Sequence, residues 1–209
     1  MDFQEKISGT FSLYEHVSYL LVGGVAVLLA LGASRILGYG SLEAIFPVYI
    51  WLLGAYVIGH FAQGVSNLYS KLGLHKETKT DFTEKEKGVL THAAKFYKAD
   101  KDNYGFVWGL CYLDALTSPL GSHIERFIAY YGFYRGLFAV FLSFGLVFGG
   151  LFIAALLGAP YSAQMLAVSA ALCIAMGFTF KMRAARFWQY GRTKVLQSFI
   201  LKHNERTAD

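Results

Sequence analysis

The chain has 209 residues, of which 55% are hydrophobic and 16% charged, with a formal net charge of +5. A soluble globular domain carries about 25% charged residues, so this composition excludes an ordinary soluble domain and points to lipid as the main solvent. Its two cysteines, Cys111 and Cys173, cannot by themselves build a disulfide framework or a zinc site.

Asp2, Glu5 and Glu15 deny the N-terminus the basic region of a signal peptide. The first apolar run, residues 17–37, therefore reads as a permanent span. A second span is expected at 44–65, with Pro47 in its first turn, where a missing N–H does no harm. A third is expected at 137–158, ended by Ala159-Pro160, and a fourth at 163–180. Each holds roughly 18–22 residues, enough for a hydrocarbon core of ~30 Å. The two short turns between paired spans carry one basic residue, Arg35, and all the others lie on the opposite side. By the positive-inside rule both termini and the long loop are expected in the cytoplasm, in a multi-pass protein of a bacterial inner membrane.

The long loop reads as a helical module. Thr83-Glu84-Lys85-Glu86 is a capping box that should open a helix to about Lys98, with Val89, Leu90, Ala93, Phe96 and Tyr97 at helical spacing. A second helix fits residues 104–117, with Phe106, Val107, Leu110, Leu113 and Leu116 on its apolar face and Asp114 turned away. Residues 70–81 read as a polar loop. Ser118-Pro119 and the capping box Ser122-His123-Ile124-Glu125 compete to start a helix with no strong break before Gly158. From Ser122 that is ~55 Å at 1.5 Å per residue, longer than the membrane is thick. The fourth span likewise continues past Lys181 to about His203, with Gly191 its only weak point. The expected fold is all-α: four transmembrane helices, the third and fourth extended into the cytoplasm. Its parts are residues 1–66 (spans one and two), 67–134 (cytoplasmic module), 135–182 (spans three and four) and 183–209 (a basic amphipathic helix).

Several groups of residues could carry function. His60, Gln63 and Asn67 share a face of the second span, and ionisable groups at membrane depth are costly and often functional. A hydrogen-bonding role across helices competes with that reading. Arg126, Tyr130 and Tyr134 share a face near Glu125 and Arg135, which suits the headgroup layer. A sharper reading makes this a lipid-headgroup or polar-substrate pocket, with His60 or Glu125 as acid or base and Arg126 holding an anion. Arg183, Arg186, Tyr190 and Lys194 form a basic strip suited to anionic lipid or, facing the cytosol, to a nucleic-acid backbone. Met182, Ala185, Trp188, Leu196 and Phe199 form an apolar strip on the same helix.

Gly132-x-x-x-Gly136, Gly145-x-x-x-Gly149 and the Ala163, Ala167, Ala171, Ala175 stripe let helix backbones approach closely, within one subunit or between subunits. There is no P-loop, dinucleotide fingerprint, His-Glu-x-x-His or nucleophile elbow, and His123-Ile124-Glu125 alone is a weak metal signal. No cofactor or metal is expected. The spans show neither internal repeat nor central unwinding, as a transporter would. The expected function is a homo-oligomeric, channel-like membrane effector or regulatory subunit whose cytoplasmic module senses a protein partner or ligand. An interfacial enzyme acting on a lipid and an anchor that recruits a cytoplasmic protein are the alternatives.

Overall fold

The computed structural model describes residues 3–38, 47–74 and 82–204, with side chains described from residue 16 to 203 within these stretches. Among them the chain is all-α: α1 (Phe3–Ile36), α2 (Val48–Lys71), α3 (Glu84–Tyr97), α4 (Tyr104–Leu116), α5 (Gly121–Leu156) and α6 (Ala163–Asn204). Four of these, α1 from His16 onward, α2, α5 and α6, are long and apolar enough to cross a membrane. The protein is a multi-pass membrane protein.

The helix ends follow local chemistry. Pro47 stands just before α2, as its N-cap, rather than inside the first turn. At α3 the capping box forms as read: Glu86 Oε2 accepts from Thr83 N at 2.8 Å, and the Thr83 hydroxyl accepts from Glu86 N at 3.3 Å. The helix stops where Lys98 turns left-handed, at φ 52°. Asn103 caps α4 by accepting from Phe106 N at 3.2 Å. Ser118, not Ser122, opens the way into α5: its hydroxyl accepts from Leu120 N at 3.2 Å, and Ser122 is already helical. Gly158 supplies the left-handed turn after α5, at φ 102°. Gly191 does not interrupt α6. The expected polar loop at 70–81 lies largely outside the described residues, since α2 runs on to Lys71 and the description stops at residue 74.

The chain divides into two compact units, residues 1–75 with 129–184, and residues 76–128 with 185–209. In the first, α1 and α2 meet backbone to backbone. A Cβ on Gly23 would collide with the Ala55 carbonyl, and one on Gly59 with the Tyr19 carbonyl. Val22, Ala26, Ala62, Leu137 and Val140 form one core there, and Phe148, Leu166, Ala170 and Cys173 another. The small-residue motifs divide in their use. Gly136 seats Val22 and the Gln63 amide, and Gly145 seats Ile174, whereas Gly132 and Gly149 have open space beside them. The buried face of α6 is Leu166, Ala170, Cys173 and Gly177, while Ala171 and Ala175 of the alanine stripe are exposed.

The second unit has its own core: Phe82 ahead of α3, Leu90, Ala93 and Ala94 of α3, Val107, Cys111 and Ala115 of α4, Ile124 of α5, and Val195, Leu196 and Phe199 of α6. Here α4 departs from expectation. The residues it buries are Val107, Cys111 and Ala115, whereas Phe106 and Leu113 are exposed. Asp114 is half-buried and bonded to α6 rather than turned away. The helix is apolar nearly all round, so periodicity alone could not choose its core face.

Candidate functional site

In the first unit, the polar residues of α2 meet α5. The Gln63 amide donates to the Gly132 carbonyl at 2.8 Å. Arg135 Nη2 donates to Asn67 Oδ1 at 2.9 Å and lies 3.5 Å from Gln63 Oε1. The guanidinium sits 5.4 Å from the Tyr131 ring centroid, within cation–π range. Arg135 is thus a cation that Gln63 and Asn67 share. Its fixed fork of donors suits two amide acceptors better than a Lys point charge would.

His60 meets α1 through its ring, not through a hydrogen bond to any described residue. Its centroid lies 3.9 Å from that of Tyr19 and 4.7 Å from that of Tyr56. The Tyr56 hydroxyl is 2.7 Å from His16 Nδ1. Of the expected pocket, His60 belongs to the first unit and Glu125 and Arg126 to the second. Arg126 is occupied within its own helix, donating to the Ser122 carbonyl at 3.2 Å. Glu125 is half-buried, Tyr130 is exposed, and Tyr134 stacks on Phe180 at 6.0 Å.

In the second unit two buried polar clusters tie α6 to its neighbours. Arg192 Nε lies 3.0 Å from Glu86 Oε1, with the Arg side chain 8% and the Glu side chain 15% exposed. The guanidinium also sits 5.3 Å from the Phe82 ring centroid. Glu86 therefore uses one oxygen for the helix cap and the other for the ion pair. Further along, Asp114 holds both Lys202 and His203, the latter at 2.9 Å. Lys202 also donates to the Thr117 hydroxyl at 3.1 Å, and Ser198 to Ser118 at 2.8 Å. Burial alone would raise the Asp114 carboxyl, but hydrogen bonds from Lys202 and His203 outweigh it and hold it below the usual carboxylate value. Burial and the neighbouring Asp114 charge push Tyr97 up, and push the Cys111 thiol up to about 12.

Beside the Glu86–Arg192 pair, α3 and α6 enclose a groove of 490 Å³, lined in part by Lys85, Val89, Gln189, Thr193, Leu196 and Ile200. A second hollow of 380 Å³ shares Lys85, Val89 and Ile200 with it and adds His92 and Phe199. Volumes of this size suit a small ligand or a short peptide face. The floor is apolar. Glu86 is spent on Thr83 and Arg192, while Lys85, at the junction of the two hollows, has no partner among the described residues. The groove thus presents positive charge and amide groups over an apolar floor.

Of the basic strip on α6, Arg183 and Arg186 are exposed, and Lys194 donates to Gln197 at 3.0 Å beside the groove. Sequence reasoning missed Arg192. Its signal was present: Arg192 falls midway between Trp188 and Leu196 in the apolar strip, where a charge requires a buried partner. No family model, curated protein or solved structure matches the chain.

Proposed function

We propose that the protein is an oligomeric, channel-like membrane effector or regulatory subunit whose second helical unit reads an anionic or acidic partner through the α3/α6 groove. The observation that carries this is the divided use of the small-residue motifs. Gly136 and Gly145 are consumed inside the chain, while Gly149 has open space beside it and Ala171 and Ala175 are exposed. In lipid, where apolar burial gives no driving force between helices, such positions favour close helix–helix approach.

On this reading the termini and the second unit lie in the cytoplasm of a bacterial inner-membrane protein. The exposed Arg183 and Arg186 then meet anionic headgroups. The Arg135, Gln63 and Asn67 network holds α2 to α5 and is not a catalytic set. A mass measurement of the full chain in lipid nanodiscs tests the reading: stoichiometries above one support it, and a monomer at every protein-to-lipid ratio refutes it.

A further inference from the structure

The two hollows between α3 and α6 share Lys85, Val89 and Ile200 and so form one trough. Glu86 meets Arg192 near one end, and the rings of His92 and Phe199 lie 6.2 Å apart near the other, so the two helices run side by side in the same direction. On α6 the lining extends from Gln189 to Ile200. That is ~17 Å at 1.5 Å per residue, or about three helical turns.

The charge of the trough is placed at one point. Lys85 is exposed, stands where the hollows join, and has no partner among the described residues. The other lining Lys or Arg, Arg192, is buried and paired with Glu86. Gln189, Thr193 and Gln197 follow at four-residue spacing along α6 and line one side with uncharged polar groups. Gly88 lines the second hollow. A glycine inside a helix is destabilising relative to Ala, and no neighbouring group lies within 4 Å of where its Cβ would stand. The space it opens is not used within the chain.

We propose that the trough docks an amphipathic α-helix of a partner protein, one that sets an Asp or Glu on Lys85 and an apolar side chain into each hollow. A helix laid in a groove is anchored at i, i+3, i+4 and i+7, a spacing that places an acidic residue between two apolar ones on the same face. The central position of Lys85 selects this occupant. An acyl carboxylate carries its charge at one end, so its head on Lys85 would leave one hollow empty. A nucleic-acid backbone takes a stripe of cations, and the trough offers a single unpaired lysine among its described lining residues. The Lys85 pair fixes the register of the docked helix more than it adds affinity. The inference rests on the reading of this groove as a site for an acidic partner, and it is independent of how many copies assemble.

The test uses the full chain in nanodiscs of zwitterionic lipid and the fluorescence anisotropy of a labelled, Ala-rich helical peptide of about 15 residues. The peptide carries a central Glu with a Leu one turn to either side. It should bind saturably, above the level of empty nanodiscs. Exchanging its Glu for Lys should weaken binding about fivefold, the scale of one exposed ion pair, and Lys85→Glu should reverse that preference. Gly88→Trp fills the second hollow and should abolish binding of both peptides, while its thermal unfolding, followed by circular dichroism, stays at or above the wild-type temperature. Binding no greater than to empty nanodiscs, or a preference for the Glu peptide that Lys85→Glu leaves unchanged, overturns the docking site. Octanoate that displaces the labelled peptide at lower concentration than the unlabelled peptide does would assign the trough to a small amphipathic anion and also overturn it. Oligomers that bind no peptide overturn this inference and leave self-association standing, whereas monomers that bind it overturn self-association alone.

Discussion

Replacing Arg192 with methionine probes how the second unit is held together. The substitution keeps most of the aliphatic stem that packs in the core but removes the guanidinium. Breaking a buried ion pair by removing one partner costs about 3–5 kcal/mol, because the remaining charge stays buried without compensation. Two features place this case near the lower end. Glu86 is 15% exposed and so keeps some water, and its Oε2 still accepts from Thr83. Loss of the Phe82 contact adds about 1 kcal/mol. The expected cost is therefore about 4 kcal/mol. For a unit of this size 1 kcal/mol shifts Tm by roughly 4–8 °C, so Arg192→Met should lower it by at least 15 °C, or about that. Trp108 and Trp188 both belong to this unit, with ring centroids 5.2 Å apart, so tryptophan fluorescence during heating in detergent reports on it. Glu86→Leu with Arg192→Met should recover most of the loss, because an apolar pair replaces a costly charged one. It should remain about 1 kcal/mol short for the missing cap. A Tm for Arg192→Met within 3 °C or so of wild type, or a double variant no better than the single, would refute the reasoning.

Three further outcomes are expected. Because the folded Asp114 carboxyl lies below its ordinary value, its contribution is present above about pH 4 and fades as pH falls through the folded-state value; Asp114→Asn should flatten this acid limb of the Trp108/Trp188 transition. With its thiol raised to about 12 and fully buried, Cys111 should resist iodoacetamide at neutral pH and react once guanidinium unfolds the unit, as followed by mass spectrometry. Gly59→Ile should separate α1 from α2 and abolish a monodisperse detergent-extracted protein, whereas Gly64→Ala, with open space around it, should be tolerated; size-exclusion chromatography distinguishes the two.

Elements were more legible than faces. The spans announced themselves by length and apolarity, and the α3 cap by the reciprocal Thr83 and Glu86 bonds that two residue types at one spacing imply. The core face of α4 was not legible, because periodicity needs polar contrast and the residues from Tyr104 to Leu116 supply one charge. Asp114, the residue that could break the tie, reads from local spacing as turned away, because its partners lie near the far end of the chain, at Lys202 and His203. Gly136 and Gly132 look alike in sequence, yet one seats the Gln63 and Val22 side chains where a Cβ would stand, and the other has open space there. The face of α2 that carries Gln63 and Asn67 was visible from spacing, but Arg135 as their shared donor depends on how α2 and α5 register.

The backbone contact between α1 and α2 also bears on how the chain enters the bilayer. Gly23, Tyr19, Ala55 and Gly59, which make that contact, all lie in the first third of the sequence and require nothing synthesised after α2. The two helices can close as a hairpin while the rest of the chain is still on the ribosome. That hairpin carries Gln63 and Asn67 into the membrane before their partners exist. Insertion of α5 then supplies Gly132 and Arg135, so the polar network can close only once α5 has docked in register against α2.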